Sequence, residues 1–185
     1  MNSALGFLEL NNVSDGIACM DFMLKGALIN VIRSSVVNPG KFFIIIEGSY
    51  GNIENAMQIA VNNFEQSIVD FYMIGKAEEA LLSSLKGIES AENLESLAII
   101  DTLNIITGVI IADITSKTSN ARVVRFNISE TMGGRTSIVI SGEYSSVKHA
   151  VEQISSPINL RDKIIACNVI ANPHDTLKEA LFHNK

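Results

Sequence analysis

Gly6-Phe7-Leu8-Glu9-Leu10 returns later in the chain as Ala98-Ile99-Ile100-Asp101-Thr102, 92 residues on. The same spacing pairs Gly16 with Gly108, Asp21 with Asp113, Lys25 with Lys117 and Arg33 with Arg125. One register that carries all of these matches marks an internal duplication. Further along, Glu47-Gly48-Ser49-Tyr50 lines up with Ser141-Gly142-Glu143-Tyr144 and Ala56 with Ala150. The spacing there is 94, so two residues have entered between Arg125 and Gly134. Val69 to Leu85 corresponds to Ile165 to Leu181 at a spacing of 96, pairing Ile74 with Ile170, Leu81 with Leu177 and Leu85 with Leu181. The 185 residues therefore read as one unit of about 92 residues used twice. The expected division is a first domain over 1–88, a linker over 89–96 and a second domain over 97–185. Gly87 to Glu95 is polar and acidic, with a glycine where the preceding helix should stop.

Within one unit, Leu5 to Leu10 is a short apolar run and reads as a strand, and Ser14 or Asp15 can cap a helix running to about Ala27. Leu28 to Arg33 reads as the next strand. Pro39-Gly40 punctuates a tight loop, after which Phe42 to Ile46, rich in β-branched and aromatic residues, is a strand covered on both faces. Ile53, Ala56, Met57, Ala60, Val61 and Phe64 recur at helical spacing, and Val147, Ala150, Val151 and Ile154 repeat the stripe. Ile68 to Ile74 gives a fourth strand and Glu78 to Leu85 a terminal helix. The order is β-α-β-β-α-β-α, an α/β (α+β) unit of ferredoxin-like type whose four-stranded antiparallel sheet should carry its helices on one side.

Composition narrows the function. The chain is 47% hydrophobic and 18% charged, with a mean hydropathy of +0.27, too few charges to cover a monomer's surface. Buried interfaces between copies are expected. The longest apolar run, Phe42 to Ile46, is far short of the roughly 18 to 20 residues of a spanning helix, so no membrane is expected. Met1 to Leu10 lacks the basic start of a signal peptide, which predicts a cytoplasmic protein. A net charge of −6, and arginines (Arg33, Arg122, Arg125, Arg135) that form no dense run, argue against nucleic acid. Cys19 and Cys167 stand far apart, with no second cysteine or histidine at metal-ligand spacing, so each reads as a small core residue. His149, His174 and His183 fall on an exposed helix, a loop and the tail, and suggest no nucleophile and base; an enzyme is not expected.

These residues resemble the bacterial microcompartment shell proteins. That family's opening Gly-x-x-Glu-Thr strand is similar to Gly6 to Leu10 and to Asp101-Thr102. Its helix segment Asp-Ala-Met-x-Lys resembles Asp21-Phe22-Met23-Leu24-Lys25, its Gly-Asp-Val resembles Gly48-Ser49-Tyr50, and its Ile-Pro-Arg-Pro-His resembles Ile170-Ala171-Asn172-Pro173-His174. The similarity runs through nearly the whole chain twice, and implies the class with two tandem BMC domains. Pro39-Gly40-Lys41-Phe42 after the opening strand most resembles the tandem members of propanediol-utilisation shells.

The resemblance implies a homotrimer that forms a flat pseudohexagonal disc and tiles with other shell proteins around an enzyme-filled compartment. It places the loop between the second and third strands at the symmetry axis. The implied pore-lining residues are Asn38, Pro39, Gly40 and Lys41 in one copy and Met132, Gly133, Gly134 and Arg135 in the other, with Glu130 adding negative charge. Passage of small polar metabolites is expected. Lys25, Lys117, Asn120, Lys76 and Asn172 match family positions at the disc edge, although neither copy keeps the family's edge arginine, whose planar fork lysine and asparagine cannot reproduce. Some tandem relatives hold an iron–sulfur cluster on a cysteine of the first loop. Asn38 stands there and supplies no thiolate, so no cofactor and no metal are expected. The rival reading is a soluble trimeric sensor that binds a small ligand between subunits.

Overall fold

The structure, a computed structural model, describes residues 3–88 and 94–182; most of the expected linker, and His183, lie outside the described residues. The first half runs β1 (Ala4–Leu10), α1 (Val13–Gly26), β2 (Ile29–Val37), β3 (Lys41–Gly48), α2 (Tyr50–Phe64), β4 (Ile68–Ile74) and α3 (Glu79–Leu85). The second runs β5 (Ser96–Thr102), α4 (Ile105–Thr118), β6 (Arg122–Ser129), β7 (Arg135–Gly142), α5 (Tyr144–Ser155), α6 (Ile158–Arg161), β8 (Ile164–Ala171) and α7 (Asp175–Phe182). The short α6 lies in the second two-residue expansion, where the spacing of the copies rises from 94 to 96.

Local chemistry sets the element ends. α1 starts earlier than expected because Asn12, with extended backbone, accepts the Asp15 amide on its side-chain oxygen at 2.8 Å. Asp15 instead sits in the first turn, where hydrogen bonds from Asn12 and then Ser67 hold its carboxyl below the usual range. Asn104 repeats the cap on α4 through the Thr107 amide, 2.8 Å away. β2 is longer than expected, and Leu28 stands outside it, 84% exposed.

Each half forms a four-stranded sheet, β2-β3-β1-β4 and β6-β7-β5-β8. Gly6 faces Ile46 on one side and Met73 on the other; Ala98 faces Ile140 and Val169. These partners differ by 92, 94 and 96, the three spacings read along the chain. Both copies thus keep the same register through two insertions, each placed in a connection rather than in a strand.

Alternate strand residues face opposite ways. Leu8, Leu10, Phe42, Ile44 and Ile46 meet Cys19 and Met23 of α1 and Ile53, Ala56, Met57 and Ala60 of α2 in one core. Close approach there depends on Gly16: a Cβ at this position would lie 2.6 Å from Phe42 Cβ. The other face is also buried. Leu97, Val124 and Val139 pack with Ile99 and with Leu181 and Phe182 of α7, so the second sheet has helices on both faces, not on one as expected. The reason is that β5 is apolar at successive positions, leaving a greasy face that α4 and α5 do not reach.

By contacts the chain divides into two compact units, Met1–Ala77 with Ser129–Gly134, and Glu78–Ile128 with Arg135–Lys185. The division does not follow the repeat: α3 groups with the second unit, and the short segment before β7 with the first.

Candidate functional site

The two loops singled out by sequence each join the middle strands of a copy. Asn38-Pro39-Gly40 connects β2 to β3 with a cis Asn38–Pro39 bond and Gly40 at φ 131°. Its counterpart is a 3-10 turn, Glu130–Met132, followed by Gly133 and Gly134 at φ 72° and 80°, backbone that favours glycine. Met132 is 57% exposed. Both segments belong to the first compact unit, where the Asn38 amide donates to the Glu130 carbonyl at 2.8 Å.

Two of the charges around these loops are held in ion pairs. Glu130 is not an independent anion: Arg33 Nη2 lies 2.8 Å from its Oε1, and the Arg33 guanidinium also sits 5.5 Å from the centre of the Phe43 ring. The Arg33 bond is the main cause that holds the Glu130 carboxyl below its ordinary range; burial opposes it and Ser35 adds to it. Lys41 is not free either. Its Nζ is 2.7 Å from Oε1 of Glu9, a carboxylate only 1% exposed near the end of β1. The other Glu9 oxygen has no hydrogen-bond partner among the described residues. A buried carboxylate holds its cation firmly, since removing either member leaves an uncompensated charge. Arg135, at the start of β7, is exposed, so the two copies present unlike chemistry beside their loops.

Lys25 and Lys117 lie near the ends of α1 and α4, each 2.6 Å from an aspartate four residues earlier, Asp21 and Asp113. The first pair is exposed; in the second the carboxylate is 3% exposed. Asp before Lys at this spacing is the favourable orientation on a helix. Lys76 and Asn120 are exposed, and Asn172, at φ 48°, donates its amide to the Glu95 carbonyl at 3.0 Å.

Cys19 is fully buried in the core of the first copy, where burial and then the charge of Asp15 push its thiol up to about 11. Cys167 in β8 is half-buried and likewise raised by burial. Among the described residues no three His, Cys, Asp or Glu side chains come together as a metal site. Neither loop carries a cysteine, so neither supplies the thiolate that an iron–sulfur group requires. His174, expected on a loop, caps α7: its Nδ1 accepts the Thr176 amide at 3.2 Å.

A ferredoxin-like sheet used twice in register, with a turn of special backbone at the same place in each copy, defines a tandem-domain α/β protein. The chain belongs to the BMC-domain family, whose profile matches residues 4–77 and again residues 96–173. It is 27% identical over 177 residues to the bacterial microcompartment shell protein PduT of Citrobacter freundii, covering 96% of each chain. It is 25% identical over 190 residues to the carboxysome assembly protein CcmO of Synechococcus elongatus, covering 96% of this chain and 68% of that one. Among solved structures, a microcompartment protein from Desulfitobacterium hafniense DCB superposes with a TM-score of 0.86 at 24% identity, over 97% of this chain and 99% of the other. A fused permuted hexameric shell protein of the RMM microcompartment gives 0.60 at 16% identity, over 86% and 82%. These two share the fold. The protein is a structural component of a bacterial microcompartment shell. Among the described residues no helix is long and apolar enough to cross a membrane.

Proposed function

We propose that three chains close into a ring of six domains, the repeats over 1–88 and 97–185 alternating around it, and that the ring tiles into the shell with other shell proteins. The observation that carries this reading is a pair of matching apolar edges. β4 and β8 are edge strands, and Val69 and its counterpart Ile165 are each 46% exposed, with Phe71 at 44% and Val169 at 38% beside them. Apolar side chains exposed on the corresponding edge strand of each copy are what a head-to-tail contact repeated around an axis needs.

In that ring the loops Asn38-Pro39-Gly40 and Met132-Gly133-Gly134 border a central pore for small polar metabolites. Lys41 is engaged with Glu9 and Glu130 with Arg33, so Arg135 supplies the exposed charge. Lys25, Lys76, Lys117, Asn120 and Asn172 contact neighbouring discs. The role is structural and non-catalytic, without a cofactor.

Electron microscopy of the overexpressed protein tests the proposal. Ordered layers or tubes, with a trimer mass in dilute solution, are expected. Lone trimers that never form layers would favour a ligand-sensing protein, and a stable monomer would overturn the ring.

A further inference from the structure

An open polar cleft of about 800 Å³ lies in the second compact unit, where the end of α4, the turn into β6 and the start of α5 meet. Lys117, Arg122 and His149 line it, together with hydroxyl residues that include Ser145 and Ser146. Glu78 is the one carboxylate in its lining. Burial raises the Glu78 carboxyl and Arg122 opposes the rise, so this acid takes up a proton more readily than an ordinary glutamate.

The first copy is built otherwise at the matching place. Asn55 Nδ2 donates to the Gly26 carbonyl at 2.9 Å and ties α2 to the end of α1, and Ser49 Oγ accepts the Asn52 amide at 3.4 Å. At the spacings of the repeat, His149 replaces Asn55, Glu143 replaces Ser49 and Arg122 replaces Asn30. Glu143 makes no side-chain cap to α5. Leu28, 84% exposed, becomes Asn120 in the cleft wall. Divergence has thus replaced the side chain that ties the two helices and added a guanidinium and an imidazole at one spot.

We propose that this cleft binds a small phosphate-class anion, its oxygens held by the Arg122 fork and the Ser145 and Ser146 hydroxyls, with His149 and Lys117 flanking. A planar guanidinium matches two oxygens of one phosphate, and hydroxyls add neutral donors without further charge. Glu78 accepts a hydroxyl where the anion is the ester of a small alcohol. This site stands apart from the pore loops; Lys117 and Asn120 of its lining are also proposed disc-edge positions, so the site belongs to the dispersed protein.

Inorganic phosphate is titrated calorimetrically into the full-length protein, kept dispersed at low ionic strength, with chloride as control. Binding tighter than about 1 mM is expected, weakened about tenfold or more by Arg122→Gln. The double change Glu143→Ser with His149→Asn installs the residues that the first copy already uses. It should abolish binding while leaving the circular dichroism spectrum unchanged. Phosphate heats no larger than those of chloride, or Arg122→Gln and the double variant both binding as the parent does, would overturn the proposal.

Discussion

At the scale of single residues, packing tolerances differ sharply between glycines that look alike in sequence. Alanine in place of glycine inside a helix gains up to about 1 kcal/mol of propensity. At Gly51 of α2 an added Cβ meets nothing within 4 Å, and Gly51→Ala should realise part of that gain. At Gly16 it collides with Phe42, and overpacking of this kind costs about 1–3 kcal/mol, so Gly16→Ala should be less stable than the parent. Urea unfolding of the two variants should move the midpoint in opposite directions. The repeat itself pointed to Gly16 through its match with Gly108, where a Cβ would meet Thr136. The residue-level features that were not legible are the ion pairs: Glu9 with Lys41, and Arg33 with Glu130, join positions 32 and 97 apart. Nothing local in either segment encodes such a partner.

Between elements, the Arg33–Glu130 link joins β2 to the turn before β7. Because the Glu130 carboxyl is held below its ordinary value of about 4.3, the link stabilises the fold above that pH. Its contribution should disappear as the pH falls through the lowered value. Both partners are more than a third exposed, which limits it to about 1 kcal/mol or less. Glu130→Gln should therefore be slightly less stable than the parent at neutral pH and equal to it at about pH 2, by comparison of denaturation midpoints. The order of elements in each copy was readable in advance, because spacings of 92, 94 and 96 report which residues of the two copies correspond. Strand order and register came from the fold, which then showed corresponding residues paired alike. Helix coverage was not readable either. α7 is a short segment whose Leu181 and Phe182 fill a face of β5 that looks, in sequence, like any apolar strand.

For the whole molecule, the proposed ring makes a chemical prediction about its axis. Asn38→Cys would bring three thiolates together there, and thiolates are what iron–sulfur clusters require. Anaerobic preparation should give a brown, iron-containing variant, read by metal analysis and visible absorption. A colourless, iron-free protein would count against placing this loop at the axis. Family and shell role were legible from short motifs in correct order twice over, whereas the contrast between Lys41, tied to a buried acid, and exposed Arg135 emerged only from the fold.

The compact units exchange pieces across the repeat: the segment Ser129–Gly134 sits with the first and α3 with the second. Such mutual lending makes the protein a natural candidate for a split reporter. Encoded as two polypeptides broken between residues 88 and 94, the fragments should copurify through a tag on either one. Each fragment made alone should be degraded or precipitate, because each would lack a strap that the other carries.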